Sequence, residues 1–186
     1  MKRNWYRTST GSLIITGEFV NTTGSAQENP TVTVTLTDES GSIVAERSGS
    51  TVPKVLPANG RGFFAVDTGL QPAAVASMEV TVAFDAPTKA TLVQRDISQW
   101  ASTVSDRALT AKGAFTNTYE DPMYGPRVAV VIRDALRKIL WADEYVHPSW
   151  VIPKEQATWS LTLATAPVEV KKNVSSVEAL LVFRQP

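Results

Sequence analysis

Apolar and polar residues alternate with a period of two along most of the chain. Leu13, Ile15, Gly17 and Phe19 alternate with Ile14, Thr16 and Glu18, and Val32, Val34 and Leu36 alternate with Thr33, Thr35 and Thr37. Successive side chains of a strand point to opposite faces, so the pattern predicts half-buried β-strands. Turn residues separate the runs. Asp38-Glu39-Ser40-Gly41-Ser42 reads as a hairpin tip before Ile43 to Arg47, and Leu56-Pro57-Ala58-Asn59-Gly60 reads as the turn before Gly62 to Val66. Further strands are expected over Met78 to Phe84 and Val177 to Phe183.

The pattern is written twice. Leu13 to Thr22 (LIITGEFVNT) aligns with Leu109 to Thr118 (LTAKGAFTNT) at an offset of 96. Val32, Val34, Leu36 and Asp38 fall on Val128, Val130, Ile132 and Asp134 at the same offset, and Leu56-Pro57 meets Ile152-Pro153. A three-residue insertion then moves the offset to 99, so that Val75 to Glu79 meets Val174 to Glu178 and Phe84 meets Phe183. A period this long is the size of a small domain, not of a solenoid repeat. The expectation is a first domain over 1–87 and a second over 88–186, joined near Ala86 to Lys89 and set end to end as a semi-rigid rod. The alignment also makes Asp134-Ala135-Leu136-Arg137-Lys138 a hairpin tip, against its own helical propensity.

Six or seven short strands per unit predict an all-β fold of two tandem immunoglobulin-like or fibronectin-III-like β-sandwiches. Composition agrees: the 21 Thr and 22 Val suit pleated strands. Phe19, Leu36 and Phe84 are the expected centre of the first core, and Phe115, Ile132 and Phe183 that of the second. No cysteine is present, so the cores hold without disulfides.

Gly-Glu-Phe-Val-Asn-Thr at 17–22, Val-Thr-Leu-Thr-Asp-Glu-Ser-Gly at 34–41 and Leu-Pro-Ala-Asn-Gly at 56–60 together resemble the FxLYD-type immunoglobulin-like domains of bacterial and archaeal envelope proteins. Thr37 and Arg133 stand where that family usually has Tyr. The resemblance implies an extracytoplasmic accessory or spacer module of a cell envelope or surface, with no catalytic residues to carry over.

Eighteen basic and eighteen acidic residues cancel, so the chain has no basic field for nucleic acid or an anionic membrane. A membrane is reached only through a missing anchor or a partner, and the opening residues carry no signal peptide. His147 is the only histidine, which excludes a multi-histidine metal site. Motifs for phosphate loops, nucleophile elbows and zinc proteases are absent. The expectation is a protein that is not an enzyme and takes no cofactor or metal.

The informative signal is a difference between the copies. The loops 21–30 and 49–59 are small and polar, whereas their counterparts 117–126 and 146–156 carry Tyr119, Met123, Tyr124, His147 and Trp150. Loops at the end of a sandwich are common binding surfaces, and Tyr, Trp and Met are enriched in interfaces. These five residues are the candidate interaction surface for a protein partner. Self-association through edge strands, with the uncharged Thr31 to Thr37 run as a candidate edge, is a variant. A polysaccharide stacked on the rings is the alternative. Trp100 and Trp141 are assigned to packing.

Overall fold

In the computed structural model, which describes residues 1–69, 75–84, 86–105, 108–163 and 166–186, the chain is almost entirely β. The first half comprises β1 (Lys2–Arg7), β2 (Leu13–Val20), β3 (Ala26–Glu28), β4 (Thr31–Thr37), β5 (Ile43–Ser50), β6 (Val55–Leu56), β7 (Arg61–Asp67) and β8 (Ser77–Ala83). A short strand, β9 (Ala86–Thr88), leads to the second half. That half comprises β10 (Thr91–Asp96), β11 (Trp100–Val104), β12 (Leu109–Thr116), β13 (Tyr124–Arg133), β14 (Ile139–Val146), β15 (Gln156–Leu163), the helix α1 (Val168–Asn173) and β16 (Ser176–Gln185).

Four antiparallel sheets, ordered β5-β4-β8, β1-β2-β7, β10-β16-β13-β14 and β11-β12-β15, form the body. Leu13, Ile15, Phe19 and Phe64 pack against Val32, Val34 and Leu36 in the first core. Phe115, Leu109 and Trp159 pack against Val128, Val130, Ile132, Leu181 and Phe183 in the second. The expected centres hold, except that Phe84 lies at the margin of its core, half-buried.

The halves do not follow one another end to end. They are stacked face to face. The outer side of β7 places Phe63 against Ala129, Val131, Ile139, Ala142 and Leu180, which point away from the second half's own core. Thr16 Oγ1 donates to the Ile139 carbonyl at 2.6 Å and Tyr6 Oη to the Leu140 carbonyl at 2.9 Å. The central strands β2 and β13 are therefore covered on both faces over this stretch, and all of Leu13 to Gly17 and Val128 to Ile132 is buried.

Charges clamp the rim of this seam. Arg133 reaches Glu18 at 3.2 Å and Glu178 at 2.9 Å, and Arg61 reaches Glu178 at 2.7 Å, Asp96 at 3.2 Å and Glu18 at 3.6 Å. Both guanidiniums lie over the Phe63 ring, 5.7 and 6.0 Å from its centre. Desolvation opposes the charge on Arg61, but Glu178, Glu18 and Asp96 outweigh it and raise its pKa. Arg133 thus serves this joint.

The joint between the halves is itself a strand. β9 pairs with β3, which pairs with β6, and Val55 of this small sheet packs with Leu92 and Val182 of the second half. The Thr31–Thr37 strand, a candidate edge by composition, is instead central, between β5 and β8. Asp134 to Lys138 is a hairpin tip as the repeat predicts. Asp134 Oδ1 accepts from Leu136 and Lys138 N–H, as Asp38 Oδ1 does from Ser40 and Ser42.

Candidate functional site at the loop pole of the second half

One buried asparagine holds each loop pole. Asn117 Nδ2 donates to the Asp121 and Val151 carbonyls, both at 2.9 Å, while its Oδ1 accepts from Tyr119 N–H at 3.0 Å. Its backbone pairs with Glu155 and Lys154. Asn21 does the same in the first half, donating to the Ser25 and Pro57 carbonyls and pairing with Gly60 and Asn59. The repeated Gly-x-Phe-x-Asn run is thus a scaffold: its Asn ties the loop after one strand to the loop before another. The backbone bonds, which match Gly60 with Glu155 and Asn59 with Lys154, make Pro57 the counterpart of Ile152, one residue off the sequence alignment there. They also agree with Phe64 and Trp159 sharing a register opposite Gly17 and Gly113.

The five predicted site residues divide. Met123 is fully buried, contrary to its expected place on a surface. Its backbone exchanges two hydrogen bonds with Val151, at 3.0 and 3.1 Å, which turns its side chain into the core. Tyr119 is half-buried, with its ring 5.3 Å from Phe183 and Arg95 lying 5.7 Å over it. His147 Nδ1 donates to the Ser149 carbonyl at 2.8 Å, and its ring meets Phe115 and Tyr145 edge-on, 6.1 and 6.3 Å away. Those three close the end of the core. Tyr124 and Trp150 turn outward, 36% and 61% exposed, and touch edge to face at 5.8 Å.

Other features escaped sequence reasoning. Trp5, 59% exposed, stands between Arg3 and Arg7 beside a cleft of about 450 Å³ in the first half. Its signal was present as a tryptophan at every-second-residue spacing from two arginines. Glu169, on α1, accepts from Ser9 N–H at 2.6 Å and so ties the β1–β2 turn to the second half. Burial works against its charge, but backbone donors, Ser9 and Lys172 hold the carboxyl below its ordinary value. Among the described residues no three His, Cys, Asp or Glu side chains gather as a metal site, and no helix is long and apolar enough to cross a membrane.

The family described as "Protein of unknown function (DUF3426)" matches residues 6–93, which lie mainly in the first half. No curated protein matches the chain. Among solved structures the chain is similar to red sea bream transglutaminase, at 15% identity and TM-score 0.29, over 100% of this chain and 29% of that one. It is similar to the exo-chitosanase CsxA of Amycolatopsis orientalis, at 14% identity and TM-score 0.31, over 98% of this chain and 25% of that one. A third likeness is to the CBM22-1-CBM22-2 tandem domain of Paenibacillus barcinonensis Xyn10C, at 10% identity and TM-score 0.19, over 99% and 75% of the two chains. The chain thus spans about a quarter to three tenths of the first two relatives' length. Superpositions this loose say nothing of activity.

Proposed function

We propose that the chain is a non-catalytic structural and interaction module of a cell-envelope or surface assembly, built of two immunoglobulin-like units, and that Tyr124 and Trp150 contact a protein partner. The exposure of this pair carries the reading. Loops that only cap a core would turn their rings inward, as Tyr119 and His147 do. Tyr124 and Trp150 instead spend their apolar area on solvent while the Asn117 bonds hold the loops beneath them in place. Rigid aromatic side chains on a fixed scaffold are the usual anchors of a protein interface. The envelope location rests on the resemblance to FxLYD-type domains alone.

A crosslinking pull-down from native envelope tests this. A photo-crosslinking residue placed at exposed Ile152 should capture a partner that the Tyr124→Ala, Trp150→Ala double variant loses while keeping its circular dichroism. Equal capture by both proteins would remove the pole from the interface. The polysaccharide alternative is less well served by the geometry, because rings inclined at 75° do not form one flat platform. A saturable change in tryptophan emission with a polysaccharide, lost in the same variant, would nevertheless put that alternative ahead.

A further inference from the structure

The two halves differ at one sheet edge. In the second half β16 is paired on both sides, by β13 and by β10. Its counterpart in the first half is β8, because Val32 pairs with Val82 and Leu36 with Met78 as Val128 pairs with Leu181 and Ile132 with Val177. Among the described residues β8 pairs with β4 alone, and its outer edge is bare. β1 is the counterpart of β11, since Arg3 and Trp100 sit opposite Gly17 and Gly113. Among the described residues, no strand of the first half takes the place that β10 takes in the second.

The bare edge borders an open seam. Cavities of about 450 and 540 Å³ lie along it, between β8 and the β1–β2 pair. Leu13, Ile15 and Leu36 of the core line the first, and Phe19, Val82 and Phe84 line the second. Arg3, Trp5 and Arg7, on one face of β1 and all exposed, border the first cavity, and none of its lining residues is acidic. An unpaired edge presents a row of N–H and C=O groups for another strand. Arg3 and Arg7 are four strand residues apart, about 14 Å. A segment that satisfies this surface has a free backbone, apolar side chains at every second position and two carboxylates four residues apart.

We propose that the β8 edge docks an extended segment of a partner protein. It adds antiparallel as β10 does on β16, with alternate apolar residues filling the seam and acidic residues meeting Arg3 and Arg7. The proposal rests on the reading of the chain as a protein-binding module, but it uses a face separate from Tyr124 and Trp150.

The test selects a displayed random library of peptides, each about twelve residues long to exceed one strand, on the full chain. The expected winners alternate apolar residues and carry acids four apart. A synthetic winner should protect the amides of β8 from hydrogen exchange. It should bind the Arg3→Glu, Arg7→Glu variant about tenfold or more weakly and bind the Tyr124→Ala, Trp150→Ala variant as it binds the wild type. A second variant repeats residues 91–97 directly ahead of Met1, which keeps the β10-to-β11 spacing; its added strand should raise Tm and abolish peptide binding. The proposal is overturned if no such sequence class is enriched, if the peptide protects another edge, or if the added strand leaves binding intact. It is equally overturned if a second copy closes the β8 edge at working concentration, or if anionic vesicles bind through Arg3 and Arg7 while no peptide does. Because the loop-pole variant serves as a control, loss of this proposal leaves the loop-pole reading standing, and the reverse.

Discussion

Phe63→Ala tests whether the face-to-face seam joins the halves into one folding unit. The ring is fully buried, and five of its apolar neighbours, Ala129, Val131, Ile139, Ala142 and Leu180, belong to the other half. Truncating a buried Phe costs about 3–5 kcal/mol. Two further losses push toward the upper end: Arg61 and Arg133 each lose an aromatic face, worth about 0.5–2 kcal/mol apiece. Their carboxylate partners remain, so the charges stay paired. Spread over a chain of this size, the loss lowers Tm by about 10 °C or more.

Differential scanning calorimetry of the wild type should show one transition whose van't Hoff and calorimetric enthalpies agree. Phe63→Ala should broaden or split it, with the van't Hoff value falling below the calorimetric one, because the lost contacts are those that couple the halves. Phe64→Ala is the control. That ring is equally buried but faces the first half's own core, so its loss should destabilise the first half without removing the coupling surface. A Phe63→Ala loss below about 1 kcal/mol, or a single unbroadened transition in that variant, would refute the reasoning.

Four other outcomes follow from particular contacts. Burial raises the pKa of Tyr6, with Glu169 and Asp67 adding to it, so its contribution is complete below the unfolded value of about 10 and is lost as pH rises beyond it. Tyr6→Phe should cost about 1 kcal/mol at neutral pH and flatten that alkaline decline in urea titrations. Glu169 has its pKa lowered from 4.5, so its contribution is present above that pH and lost as pH falls; Glu169→Gln should flatten the acid limb of stability. Arg137 sits at φ 61° in a tip where the first half has Gly41 at φ 82°, so Arg137→Gly should stabilise by about 0.5–1 kcal/mol in thermal denaturation. Asn117→Ala takes the side-chain partner from the Asp121 carbonyl and the Tyr119 N–H, while Val151 keeps the Met123 N–H, and should cost about 1–3 kcal/mol and speed amide exchange in 118–123.

The strands, the repeat and most core residues were legible because period-two alternation marks one buried face. The stacking of the halves was not read, since alternation describes a sheet with one wet side. Its trace was nonetheless in the chain: Val128-Ala129-Val130-Val131-Ile132 and Ala179-Leu180-Leu181-Val182-Phe183 are unbroken apolar runs. Such runs belong to strands covered on both faces. The loop pole was half legible. Its composition identified the aromatic residues, but whether a ring turns in or out depends on backbone pairing such as the Met123–Val151 bridge, which sequence spacing does not encode. The bare β8 edge emerges only from comparing the pairing of the two copies.

The seam also bears on how the two proposed surfaces act. A flexible linker would let the halves swing, and a partner spanning them would meet a range of separations. Here the link is paired as β9 on β3, and any rotation would break the Arg133–Glu18 and Arg61–Glu178 ion pairs and expose Phe63. The separation between the loop pole and the β8 edge is therefore fixed by the fold. A partner engaging both gains the intramolecular advantage of a second contact only if its own sites match that span, so under the two proposals the rigidity that stabilises the fold would also select among partners.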